Sequence, residues 1–121
     1  GLQVLFEDSE ESPGVPGLGI LKGHILRIPD QEGLKIPHIG WNDLTLTGNG
    51  RLFRGIADHP YVYFVHSYYP QPEDKSLIAA FCTYGVRFAV AVRRGNLVAT
   101  QFHPEKSQKL GVKLLKNFIS L

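Results

Sequence analysis

Several strands followed by one closing amphipathic helix predict an α+β domain, or the strand-rich part of an α/β domain, for this 121-residue sequence. Three observations carry that expectation. Residues 61–66, Tyr-Val-Tyr-Phe-Val-His, are β-branched or aromatic almost throughout. Two runs, 87–93 and 97–102, flank Arg94-Gly95-Asn96 in the pattern of a hairpin. Residues 107–121 place Leu110, Leu114, Phe118 and Leu121 at helical spacing, with Lys109, Lys113 and Lys116 on another face and Ser107 as N-cap.

In chain order, Leu2, Leu5 and Phe6 share one face at helical spacing, with neither a Met nor an N-cap before them. This reads as a helix already under way, in a chain that starts inside an element. The acidic run 7–11 ends it, and Pro13, Gly14, Pro16, Gly17 and Gly19 mark a loop. Residues 20–28 alternate as a strand weakened by Gly23. Residues 30–33 form a turn, and 35–46 a second extended segment interrupted by Gly40. Thr47-Gly48-Asn49-Gly50 is a turn, because Gly and Asn tolerate positive φ. Residues 61–66 carry apolar side chains on both faces and are expected in a sheet interior. Residues 77–84 form a further strand.

Composition excludes several classes. The chain is 43% hydrophobic and 20% charged, as in ordinary globular proteins. A net charge of +2 with scattered basic residues does not point to nucleic acid. No apolar run approaches the roughly 18 residues of a membrane span, and a signal-peptide pattern is missing. Cys82 is the single cysteine, so no intramolecular disulfide forms. A reducing, cytoplasmic setting is the simplest expectation.

His103 and Glu105 stand between a strand end and a helix start. Residues two apart in an extended segment face the same side. A carboxylate there can accept the imidazole N–H, fix its tautomer and stabilise the imidazolium, the orienter's part in a nucleophile–His–acid triad. Pro104 stiffens the spacing. The competing reading is a surface histidine beside a helix N-terminus. Cys82 does not complete the triad: no glycine beside it allows a sharp turn, and a cysteine inside a strand packs as a small hydrophobe. His24, His38, His59, His66 and His103 show no metal-ligand spacing, so no metal and no cofactor is expected. His66, at a strand end, is either a satisfied structural histidine or a pocket residue.

Taken together, these segments resemble the class I glutamine amidotransferases. Gln-Phe-His-Pro-Glu-Lys-Ser at 101–107 is similar to that family's His–Glu segment. Tyr84-Gly85, an apolar strand and a Gly-Asn turn resemble its approach. Gly1-Leu2-Gln3 looks like the end of the family's nucleophile elbow, Gly-x-Cys-x-Gly-x-Gln. Ile-Pro-His-Ile-Gly-Trp-Asn at 36–42, Tyr-Phe-Val-His-Ser-Tyr-Tyr at 63–69 and Phe-Glu-Asp-Ser-Glu-Glu at 6–11 resemble the imidazole glycerol phosphate synthase branch. The resemblance spans essentially the whole chain.

It implies a flavodoxin-like α/β fold, of which residues 1–121 are the strand-rich C-terminal part with its closing helix, a single incomplete domain. It implies glutamine hydrolysis through a thioester, with His103 shuttling protons and Glu105 orienting it. Gln3, Glu11, Ser67 and Tyr68 would hold the amino-acid end of glutamine, the Glu11 carboxylate suiting its α-ammonium. Ammonia would pass to a cyclase (β/α)₈ barrel subunit in histidine biosynthesis, docked through Trp41, Tyr63 and Lys106. The elbow cysteine lies upstream of Gly1 in the family's pattern, so the chain alone is expected to be inactive. The alternatives are another triad amidotransferase, against which 36–42 and 63–69 argue, or a non-catalytic docking module.

Overall fold

The computed structural model describes residues 2–11, 14, 16–47, 53–56, 59–95, 97–103 and 108–119. The strands are β1 (Asp8–Ser9), β2 (Gly23–Arg27), β3 (His38–Asp43), β4 (Thr45–Leu46), β5 (Tyr61–His66), β6 (Tyr68–Pro72), β7 (Ile78–Tyr84), β8 (Val86–Arg94) and β9 (Leu97–Thr100). A closing helix, α1, spans Gln108–Ile119. The expected mixed α/β architecture, strand-rich with a C-terminal helix, is present. Among the described residues no helix is long and apolar enough to cross a membrane.

The strands form three ladders, ordered β1-β2-β6, β3-β5 and β4-β7-β8-β9. β1 runs parallel to β2, and the other described pairs are antiparallel. β7 and β8 reverse at Gly85, whose φ is +77°. A Cβ there would also lie 2.8 Å from Leu34 Cδ2, so the position needs glycine. At Gly23 a Cβ would fall 2.4 Å from the Gln71 carbonyl oxygen, and its absence lets β2 and β6 meet.

The main core gathers Val62 and Phe64 from β5, Cys82 from β7, Phe88 and Val90 from β8, Phe102, and Leu114 from α1. A second cluster packs Leu2 and Phe6 on Leu21, Ile25 and Val92. Burying an aromatic side chain of this kind is worth several kcal/mol: truncating one to alanine typically costs about 3–5 kcal/mol. Leu110 packs partly against the main core and Phe118 stays largely exposed, so the inward line of α1 runs through Leu110, Gly111 and Leu114. Lys113 Nζ donates to the Gly55 carbonyl and Asn117 Nδ2 to that of Arg54, fixing α1 on residues 53–56.

Four sequence expectations change. The N-terminal helix is a single 3-10 turn, Leu2–Leu5. Backbone groups that would continue it are taken by the following loop instead: Leu21 N–H donates to Leu5 O, Gly19 N–H to Phe6 O and Gly17 N–H to Glu7 O. The acidic run therefore opens β1 rather than ending a helix. Residues 35–46 break into β3 and β4. β5 is buried on one face only, with Val62, Phe64 and His66 inside while Tyr61 is 65% and Val65 43% exposed. Finally, β6 is a strand hidden from sequence patterning, because it contains Pro70 and Pro72. The bonds Ile28 N–H to Ser67 O and Glu73 N–H to Lys22 O set the alternation of its ladder with β2. Residues 68, 70 and 72 then turn their backbone groups away from β2, where proline's missing N–H costs nothing. The predicted turn at 47–50 lies mostly outside the described residues.

Candidate active site

The segment that carries His103 is pinned by backbone bonds to two strands, β8 and β5. Beyond β9, the Gln101 N–H still donates to Val90 O of β8, at 2.7 Å. Phe102 then drops into the core, its ring edge-on to Phe64 at 6.0 Å. His103 follows half-buried, and its N–H donates to the Tyr63 carbonyl of β5 at 3.0 Å. The apolar anchor at Phe102 thus fixes the imidazole-bearing residue at the junction of β9 and β5. Glu105 and Lys106 lie outside the described residues.

Ser67 and Tyr68 occupy the switch from β5 to β6. A single residue, Ser67, separates a strand paired with β3 from one paired with β2. The Ser67 carbonyl accepts from Ile28 N–H at 2.9 Å. Glu11 is exposed just past β1, and the registers Ser9↔Ile25 and Arg27↔Tyr68 carry it toward the same end of that sheet. Its neighbour Glu10 is the carboxylate already engaged there, accepting from the Arg27 N–H at 2.9 Å. Gln3 lies in the 3-10 turn at the start of the chain.

Beneath Ser67 sits a pair that the sequence spacing concealed. His38 and His66 are directly paired across β3 and β5 and are both buried. His38 Nδ1 meets His66 Nε2 at 2.9 Å, and His66 Nδ1 meets the Tyr68 carbonyl at 2.9 Å. The Tyr84 ring stacks on His38 at 4.0 Å, and Asn42 Nδ2 reaches His38 Nε2 at 3.4 Å and the Thr83 carbonyl at 3.2 Å. Burial, reinforced by His66, pushes His38 down to about 4, and burial also lowers His66. Both imidazoles are therefore neutral near pH 7.

The opposite face of the same ladder is apolar and open. Trp41 is 53% exposed and lies edge-on to Tyr63 at 5.8 Å, on the rung Trp41↔Tyr63. Ile39 and Val65 form the next exposed rung on that face.

A family model for class-I glutamine amidotransferases matches residues 1–121. The chain belongs to that family. It is 51% identical over 123 residues to the imidazole glycerol phosphate synthase subunit HisH of Geobacter sulfurreducens, covering 98% of this chain and 59% of that protein. To the HisH subunit of Methanocaldococcus jannaschii it is 46% identical over 121 residues, covering 100% of this chain and 60% of the relative. The chain thus spans about three-fifths of the length of the curated relatives it matches. A solved glutamine amidotransferase superposes with a TM-score of 0.63 at 20% identity, covering 99% of this chain and 56% of the other, a likeness of fold.

In an amidotransferase the obvious question about Cys82 is whether it is the nucleophile. It lies inside β7, 1% exposed. Burial, with a further contribution from the Asp43 charge, pushes its thiol up to about 12. A nucleophilic cysteine needs the reverse, a thiolate accessible near neutral pH. The remaining histidines have local partners: His24 Nδ1 lies 2.7 Å from Asp8 and His59 Nδ1 3.4 Å from Asp43. Sequence reading missed His38 and Glu10. For His38 the available signal was its place in the Pro-His-Ile-Gly-Trp-Asn segment, and for Glu10 its position in the acidic run.

Proposed function

We propose that this chain is part of the glutaminase subunit of an imidazole glycerol phosphate synthase, a cytoplasmic heterodimer that hydrolyses glutamine to glutamate and delivers ammonia to a cyclase (β/α)₈ barrel in histidine biosynthesis. The observation that carries this reading is the 51% identity, over 98% of the chain, to a subunit of that name. The reading is supported by the His103 backbone, held just past β9 by its N–H on the Tyr63 carbonyl.

A cysteine thiolate from outside these 121 residues attacks the carboxamide carbon of glutamine. The imidazole of His103 takes the thiol proton and returns it to the departing nitrogen, which leaves as ammonia. A thioester remains. His103 then deprotonates a water that attacks the thioester, releasing glutamate and restoring the thiol. Glu105 orients His103 and stabilises its imidazolium. Gln3, Glu11, Ser67 and Tyr68 hold the amino-acid end of the substrate, and Trp41, Tyr63 and Lys106 dock the barrel. The Trp41 face supports that last assignment: exposed aromatic side chains are the residues that carry binding energy at interfaces.

The test is glutamate release by a completed domain carrying this chain, measured with and without a cyclase barrel subunit. The proposal expects release stimulated by the barrel. Absence of glutamine hydrolysis in the assembled pair contradicts it.

A further inference from the structure

We propose that His38 and His66 are positioning residues for glutamine: with Asn42 they form a one-directional hydrogen-bond chain, buried at the two imidazoles, that anchors Tyr68 where the amino-acid end of the substrate is held. The proposal rests on the glutaminase reading and adds to it two residues that neither react nor touch the reacting atoms.

The direction of the chain follows from its end. A carbonyl oxygen only accepts, so His66 Nδ1 carries the proton donated to Tyr68 O. In a neutral ring the other nitrogen must then accept, so His66 Nε2 receives the Nδ1–H of His38. His38 Nε2 is left as an acceptor and faces the amide of Asn42, whose second N–H goes to the Thr83 carbonyl. The Asn42 oxygen accepts from the Asp43 N–H, which fixes which way round the amide sits. Each polar atom on the path has one role, and reversing any link leaves two donors or two acceptors face to face.

The end of the chain is where placement matters. Ser67 O is tied to Ile28 N–H in the β2–β6 ladder. The neighbouring residue, Tyr68, therefore turns both its N–H and its C=O away from β2. The Leu26↔Tyr69 rung of the same ladder turns the Tyr69 N–H toward β2, so the Tyr68 carbonyl of that peptide points outward, and there its partner is His66. A peptide unit is planar and trans, so the Ile28 bond to Ser67 O directs the Tyr68 N–H off the sheet, and the His66 bond holds the next peptide at its outward oxygen, fixing Tyr68 from both sides. A backbone N–H directed off the sheet edge is the donor a substrate α-carboxylate requires. Aromatic rings pack against both imidazoles, Tyr84 stacked on His38 at 4.0 Å and Phe88 edge-on to His66 at 5.4 Å.

The experiment uses the completed domain bound to its barrel subunit and compares His66→Leu, His66→Gln and Asn42→Ala with the parent. Steady-state glutamine hydrolysis separates KM from kcat, and a urea titration confirms that each variant is folded. We expect His66→Leu to raise KM for glutamine about tenfold, the scale of a lost hydrogen bond, with kcat within about twofold of the parent. His66→Gln, whose amide can donate to Tyr68 O and accept from His38, restores KM to near the parent value. Should His66→Leu fail to fold, a raised KM in folded Asn42→Ala, with His66→Gln near the parent, carries the same expectation. A purely structural pair would lower kcat through loss of active enzyme and leave KM unchanged. Parent-like KM in the folded variants, with an active parent, overturns this proposal alone. A parent that hydrolyses no glutamine overturns the glutaminase reading and this proposal with it.

Discussion

The backbone N–H of His103 donates to the carbonyl of Tyr63 at 3.0 Å. The Tyr63 side chain stands against Trp41 on the open face of the β3–β5 ladder. One residue therefore connects the exposed aromatic face to the histidine assigned as proton carrier. A partner that binds the Trp41 face differently in two states would bias the position of His103 through a single peptide, as coupling requires.

Trp41→Ala is expected to weaken binding of the barrel subunit by about 2 kcal/mol or more, roughly 30-fold in Kd. The stimulated glutaminase rate should fall while the unstimulated rate of the completed domain stays near the parent's. Titration calorimetry and glutamate release measure the two effects. Parent-like affinity would remove Trp41 from the docking face.

Phe102 ties the His103 segment to the core through its edge contact with Phe64. Phe102→Ala should cost about 3–5 kcal/mol of stability and lower kcat because His103 is the next residue. Phe102→Leu retains most of the buried volume and should lose no more than about 1.5 kcal/mol. Urea midpoints of both variants decide: an alanine variant as stable as the parent means that Phe102 is not the anchor.

Cys82 is expected to be chemically silent. Its thiol is enclosed and pushed up to about 12, so iodoacetamide should modify it only after unfolding. In a completed domain Cys82→Ala should keep glutaminase activity within about twofold and cost about 1 kcal/mol in packing. The 121-residue chain by itself should release no glutamate from glutamine. Loss of turnover in a folded Cys82→Ala variant would restore Cys82 as a nucleophile.

The neutral histidine pair gives stability a definite pH sense. His38 is lowered from 6.5 to about 4 and His66 is lowered too, both first of all by burial. Between about 6.5 and about 4 the unfolded chain binds the protons that the folded chain refuses, so the slope of unfolding free energy with pH is positive. Stability is full above about 6.5 and falls as the pH drops toward about 4. His24, raised by its hydrogen bond to Asp8, acts above that window. Urea midpoints from pH 7 to 4 should decline in the parent and decline less in His38→Gln. Equal slopes would mean that the pair is not the titrating element.

The sequence made local elements legible and hid long-range ones. Tyr61–His66 and the hairpin at Gly95 declare themselves through β-branched and aromatic residues and a turn glycine. The 3-10 turn at Leu2–Leu5 reads as a helix in sequence because its apolar spacing is helical, while the hydrogen bonds that stop it come from residues 17–21. β6 was hidden by prolines that only its register tolerates. His103 stands out in the sequence as a candidate because a strand-like run, Pro104 and a helical pattern follow one another there. The His38–His66 contact was not, since 28 residues separate the two and only the β3–β5 register joins them.

The most direct test of the central claim is His103→Asn in the completed domain bound to its cyclase barrel, assayed for imidazole glycerol phosphate formation with glutamine or with ammonia as nitrogen source. A proton-carrying histidine contributes about 10²- to 10⁴-fold. The account predicts glutamine-dependent formation lower by at least that range, with ammonia-dependent formation unchanged. Glutamine-dependent formation at the parent rate in a folded His103→Asn complex would contradict it.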